Sequence, residues 1–103
     1  MAKKYRVEIT RTAESDITAI SRFIARDDPA AASNWVEAIE RQISTLERWP
    51  ARCAIIPEAA DLGMEYRHLV YRSYRTIFRI VGSRVIIIRV LHGAQLLALD
   101  VLR

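Results

Sequence analysis

The sequence predicts an α+β fold of order β-α-α-β-β-β, a helical hairpin packed on a small sheet dominated by antiparallel pairing. Three observations predict it. Residues 5–10 alternate apolar and polar side chains with a period of two, and the next two stretches repeat apolar residues at helical spacing. Between residues 66 and 91, three runs rich in β-branched and aromatic residues are separated by turn residues. A chain of 103 residues suffices for one ordinary core, so a single domain spanning residues 1–103 is expected.

Tyr5, Val7 and Ile9 alternate with Arg6, Glu8 and Thr10, the pattern of a half-buried strand. Thr12 is the expected N-cap of the first helix, and Glu14 and Asp16 place negative charge in its first turn. Its apolar stripe is Ile17, Ile20, Phe23 and Ile24, and it should end near Asp27. Asp28-Pro29 then supplies a cap and a first-turn proline for a second helix, with apolar positions Ala32, Trp35, Val36, Ile39, Ile43 and Leu46. Glu37 and Arg41 form an i, i+4 pair on its other face, and the helix stops before Pro50. Trp35 and Trp49 are both expected in the core. Residues 50–64, with two prolines and a glycine and no sustained period, read as a loop with room for a short helical turn.

Strands follow at 66–71, 74–81 and 84–91, with Gly82-Ser83 as a two-residue hairpin turn. Residues 85–88 are apolar on both sides of the pleat, which puts the last strand inside the sheet with the first strand covering its free edge. On the middle strand Arg75, Ile77 and Arg79 share one face, and Tyr74, Thr76, Phe78 and Ile80 the other. The aromatic face should meet the single helical layer, leaving the arginine face open to a partner. In the tail, Leu96, Leu97, Leu99 and Leu102 are expected to pack against some part of the molecule.

Charge is unevenly distributed. Residues 1–65 carry nine Lys or Arg against eleven Asp or Glu, whereas residues 66–103 carry seven Arg against Asp100 alone. Fourteen of the sixteen cations are Arg, whose planar fork suits phosphate or carboxylate, so a polyanion or an acidic protein segment is the expected class of partner. The lone Cys53 sits in a loop without a nearby histidine or basic pair to activate it and excludes an intrachain disulfide, which points to a cytoplasmic protein. The start MAKKYRVEIT lacks an apolar h-region, and the longest aliphatic stretch, 85–91, is interrupted by Arg89, so neither secretion nor membrane insertion is expected. Two histidines and one cysteine at unrelated spacings, with three isolated glycines, give no metal or phosphate-loop pattern, so no cofactor is expected.

The run from Arg67-His68-Leu69 through Tyr74-Arg75-Thr76-Ile77-Phe78-Arg79, closed by an aliphatic strand ending in His92-Gly93, resembles the C-terminal half of ParE/RelE-type toxins of type II toxin–antitoxin, or plasmid-stabilisation, systems. In the N-terminal half, the strand Tyr5-x-Val7-x-Ile9-Thr10 and the helical motif Ala13-x-x-Asp16-Ile17 resemble the same family. The resemblance covers nearly the whole chain and lies closer to ParE. It implies a bacterial cytoplasmic toxin that engages DNA gyrase and forms a hetero-oligomer with a cognate antitoxin, whose acidic, amphipathic segment would meet Arg67, Arg75, Arg79 and Arg89.

The alternative branch of the family, RelE-like, implies a ribosome-dependent messenger-RNA endoribonuclease. Arg75 would then stabilise phosphate charge and His92 would move a proton. A lone histidine at a strand end is more commonly structural. The stretch after the last strand also has no tyrosine, and no cation before Arg103, which counts against the nuclease. ParE-like sequences often resemble H-G-x-R at this point, and Gln95 stands here in place of that arginine. A third reading, a small nucleic-acid-binding module, rests on the Tyr-Arg pairs 66–67, 71–72 and 74–75.

Overall fold

The computed structural model describes residues 3–93. In chain order these form β1 (Arg6–Ile9), α1 (Arg11–Ala25), α2 (Pro29–Ser44), 3-10 turns at Thr45–Glu47 and Pro50–Arg52, α3 (Ala59–Leu62), β2 (Arg67–Tyr71), β3 (Tyr74–Val81) and β4 (Arg84–His92). The sheet order is β1-β4-β3-β2; β1 runs parallel to β4 and the other pairs are antiparallel. The expected α+β arrangement is therefore present, with β1 covering the edge of β4. Among the described residues no helix is long and apolar enough to cross a membrane. The expectations for Gln95 and for Leu96, Leu97, Leu99 and Leu102 fall outside the described residues.

Helix α1 begins earlier than expected. Thr10, not Thr12, is its N-cap: Thr10 Oγ1 accepts from the Ala13 amide at 3.2 Å and donates to the Ile87 carbonyl at 2.8 Å. A hydroxyl at the end of β1 reaches both groups because the chain turns into the helix beside β4, whereas Thr12 already lies within the first turn. The helix ends at Ala25, short of Asp27, where the Asp27 and Asp28 amides donate to the Ile24 carbonyl. Asp28 caps α2 as expected, accepting from the Ala31 amide at 3.1 Å with Pro29 in the first helical position.

The main core lies between the hairpin and the sheet. Trp35, Ile39, Ile43 and Leu46 meet Phe78, Val85, Ile87 and Val90, and Ala13, fully buried, lets α1 approach closely. Each large aliphatic side chain buried in this way contributes about 1.5–3 kcal/mol. The β3–β4 register shifts between Ile77 and Phe78: Ile77 faces Arg89 while Phe78 faces Ile87, which leaves Ile88 as an extra, bulged residue. The bulge resets the alternation, so Val90 joins the helical side while Leu91 joins the opposite side.

Two tight turns close the meander. Gly82 takes φ 60, as a glycine-led hairpin requires. Arg72 takes φ 54 in the β2–β3 turn, a region that a side chain with a Cβ enters only under strain. The amide of Gly93 donates to the Ser73 carbonyl, and a Cβ at Gly93 would stand 3.2 Å from that oxygen, so His92-Gly93 packs against the neighbouring turn.

Residues 50–64 do more than connect α2 to β2. Ile56 and Tyr66 pack on Ile77 and Leu91, joined by Ala59, Leu62 and Ile88, forming a second small core on the face of the sheet away from the hairpin. Backbone bonds from Ile56 to Tyr66 at 2.9 Å and from His68 to Ala54 at 3.1 Å fix this strap along the start of β2. The structure thus corrects the expectation of one helical layer and an open arginine face: apolar residues on both sides of the pleat demand cover on both sides. It also corrects the placement of Trp49. Trp35 is buried, whereas Trp49 is 77% exposed.

β4 outruns β1, whose pairing stops at Ile87. Beyond that point Asp16 of α1 closes the edge. Its carboxylate accepts from Arg89 Nε at 2.7 Å, Arg89 Nη2 at 2.8 Å and the Val90 amide at 3.0 Å. The pair is largely buried, with side-chain exposures of 19% for Arg89 and 14% for Asp16, and the hydrogen bonds to Asp16 push the Arg89 pKa up.

Asp16→Ala is expected to destabilise the protein by about 3 kcal/mol, because it strands a guanidinium and an amide, and Asp16→Asn by about half as much, because an acceptor for Val90 survives. Urea unfolding midpoints check this ordering; equal costs for the two variants would contradict it. A second expectation concerns His68, whose Nδ1 is buried without a hydrogen-bond partner among the described residues. Burial, and then the nearby Arg75 charge, lower its pKa from 6.5, against a smaller opposing effect of Glu58. Because the unfolded chain takes the proton more readily, stability should fall as pH drops below 6.5 and level off below the folded-state pKa. His68→Gln should flatten that part of the pH–stability curve, and an unchanged slope would remove His68 as its source.

Candidate partner-binding surface

The arginines that the sequence concentrates in its C-terminal third do not form one open field. Arg75 is buried at 8% exposure, and its Nη1 and Nη2 donate to the two carboxylate oxygens of Glu58 at 3.1 and 2.8 Å. Glu58 immediately precedes α3, so the strap that covers the sheet also delivers the carboxylate. Arg67 donates to the Ala51 and Cys53 carbonyls at 3.2 and 2.7 Å and to Glu65 at 2.7 Å. Arg89 is held by Asp16, and Arg84 makes a forked pair with Glu8 at 2.6 and 2.9 Å. That pairing lowers the Glu8 pKa.

Arg79 differs from these. It is half-buried, lies opposite Ile86 in register, and makes no ion pair or side-chain hydrogen bond among the described residues. It is therefore the member of the set Arg67, Arg75, Arg79 and Arg89 whose guanidinium is not engaged by a carboxylate or carbonyl of the described chain. The carboxylates that take the others are Asp16, Glu58 and Glu65, not those of α2, because the sheet presents these arginines away from that helix.

Arg75 and His92 lie on opposite faces of the sheet. Arg75 stands opposite Leu91 under the strap, while His92 stands opposite Tyr74 with its ring edge-on to the Tyr74 ring at 5.6 Å. Tyr74 in turn meets Trp35 of the hairpin at 5.2 Å. The sheet thus separates the two groups that RNA cleavage would bring to one phosphate.

His92 rims a groove of about 320 Å³ between α1 and the end of β4, with Ile20, Phe23, Tyr74 and Val90 forming apolar walls beside the Asp16–Arg89 pair. Phe23 is 64% exposed, although it belongs to the same helical repeat as Ile20 and Ile24. Sequence reasoning missed this role because Ile17, Ile20 and Ile24 already satisfy the core-facing stripe; the surplus aromatic was the available signal. Glu58 was missed as well, since nothing local in a loop indicates which strand will receive its carboxylate.

Cys53 is buried, and that burial pushes its thiol pKa up, which keeps it protonated and unreactive. Among the described residues no group of three or more His, Cys, Asp or Glu could hold a metal ion. The surface therefore offers an apolar groove with charged walls and a separate guanidinium on the sheet, features suited to binding an amphipathic acidic segment.

Comparison with known proteins places this architecture. Residues 7–97 match the model of the ParE toxin of the type II toxin–antitoxin system parDE. Among solved structures, a chain of the chromosomal ParDE system from P. aeruginosa is similar with a TM-score of 0.69 at 21% identity, covering 88% of this chain and 98% of that one. A chain of the RelBE2 toxin–antitoxin complex from Mycobacterium tuberculosis is similar with a TM-score of 0.57 at 23% identity, covering 89% of this chain and 94% of that one. No curated protein sequence matches the chain significantly. The paired strands, the helical hairpin and the family match across nearly the whole sequence lead to one conclusion: the chain belongs to the ParE toxin family of type II toxin–antitoxin systems, within the ParE/RelE superfamily.

Proposed function

We propose that this toxin acts in the cytoplasm by engaging DNA gyrase and is held inactive by a cognate antitoxin. The observation that supports a binding mode of action over nuclease chemistry is the state of Arg75. A cation that stabilises a phosphorane must face the substrate. Arg75 faces Glu58 beneath the strap, with His92 across the sheet. The antitoxin reading draws on the family itself and on its two structural neighbours, described as a ParDE toxin–antitoxin system and a RelBE2 toxin–antitoxin complex. On this reading, apolar anchors of the antitoxin occupy the groove beside Phe23, and an acidic residue meets Arg79.

Purified protein is expected to trap gyrase on supercoiled plasmid as a cleavage complex, seen as linear DNA after detergent and protease, and to leave ribosome-bound message intact. Message cleavage without trapped gyrase would transfer the assignment to the RelE-like branch. Arg79→Glu is expected to weaken the antitoxin complex by about tenfold or more, the scale of a lost interfacial charge pair. A dissociation constant equal to that of the unsubstituted protein would remove Arg79 from the interface.

A further inference from the structure

Trp49 is the most exposed of the large hydrophobic side chains described, at 77%. Its backbone is left-handed, φ 52 and ψ 51, a conformation that bulky residues avoid. The surrounding turn is built to hold it there. Pro50 is buried directly after it, as is Cys53. Arg52 Nη1 donates to the Arg48 and Trp49 carbonyls at 2.8 and 3.1 Å, and its Nη2 to Thr45 Oγ1 at 2.9 Å. From the other side Arg67 takes the Ala51 and Cys53 carbonyls. Two guanidiniums thus fasten a turn that exposes one indole from a strained backbone position. Strain held this firmly around a protruding aromatic is the signature of a preorganised contact.

The charge around the indole indicates what it meets. Arg48 and Arg52 are exposed, Lys4 bridges to Arg48 through the backbone, and Glu47 is engaged by Lys4 at 3.7 Å. The turn sits at the end of the sheet where β1 begins, because the Tyr5 amide bonds the Glu47 carbonyl there. The groove beside His92 lies at the opposite end, where β4 finishes. A nucleic-acid strand calls for successive stacking platforms along a basic channel. Here one indole stands alone, and Phe23, the other exposed aromatic described, belongs to the distant groove.

We propose that the Trp49 turn is a docking knob for a folded protein that offers an apolar slot rimmed by carboxylates, and that this protein is the toxin's target. Tryptophan and arginine are the residue types that dominate such contacts. The assignment rests on the gyrase reading above.

The test is the affinity of the full chain for DNA gyrase holoenzyme, measured calorimetrically with unfolding midpoints alongside. Trp49→Gly suits the left-handed backbone, so the fold should be retained while gyrase binding weakens by about tenfold or more. Trp49→Phe should recover most of the affinity, and Arg48→Glu should weaken it. If the unsubstituted protein binds gyrase and Trp49→Gly binds equally well, the knob is overturned and the gyrase reading stands. If the unsubstituted protein does not bind gyrase, the gyrase reading falls and the assignment falls with it. Should Trp49→Gly lower the unfolding midpoint, unchanged affinity of Arg48→Glu decides against the knob instead. Saturable binding of a single-stranded oligonucleotide that is lost in Trp49→Gly would replace the protein partner with a nucleic acid and overturn the proposal.

Discussion

The Asp16 carboxylate joins the two layers on which the molecule depends. β4 is longer than the parallel partner on its outer edge, so its backbone past Ile87 needs a substitute for β1. Helix α1 supplies one through the three hydrogen bonds that Asp16 accepts from Arg89 and Val90. With Thr10 donating to Ile87 just before it, the start of the helix is anchored to the strand by a hydroxyl and a carboxylate in succession. The resulting position of α1 leaves the groove beside Phe23 and buries Ala13 against the core. The Ala13-x-x-Asp16-Ile17 motif therefore has a physical meaning: close approach, edge closure and core packing at adjacent positions of one helix face.

The strap is the second constraint. β3 and β4 carry apolar residues toward both faces, and a hairpin can cover only one of them. Ile56 and Tyr66 close the other, and Glu58 arrives with them to neutralise Arg75. A largely buried ion pair of this kind adds little net stability against an apolar alternative, but it penalises misplacement of the strap, since either partner left alone would be a desolvated charge. His68, next to this pair and shifted toward its neutral form by burial, belongs to the same environment. The local cost of charge thus sets how the strap lies on the sheet.

These internal pairings alter the functional meaning of a basic protein. The net charge of +4 suggests an electrostatic binder. Yet Arg67, Arg75, Arg84 and Arg89 spend their donors on the chain's own carboxylates and carbonyls. On the sheet itself, what remains for partners is shape with little free charge: an apolar groove at one end, a rigid indole beside the exposed Arg48 and Arg52 at the other, and Arg79 on the face between. Such a surface is suited to recognising protein segments through anchors, with charge contributing selectivity and encounter rate.

The sequence alone determined the order and type of every major element, the Asp28-Pro29 helix start, the glycine-led hairpin, and the central place of β4. These follow from periodicity and local backbone chemistry, which a linear pattern carries directly. It also carried the family, through motifs whose spacing survives at low identity. Only the tertiary structure decided which arginines remained available, because an ion pair such as Arg75–Glu58 joins residues from two elements with no shared pattern. The same holds for Trp49, an aromatic that hydropathy assigns to the core, and for Phe23, which continues a stripe already complete without it. Exposure is a property of how layers meet, and that depends on a β-bulge, a strap and a single carboxylate placed by the fold as a whole.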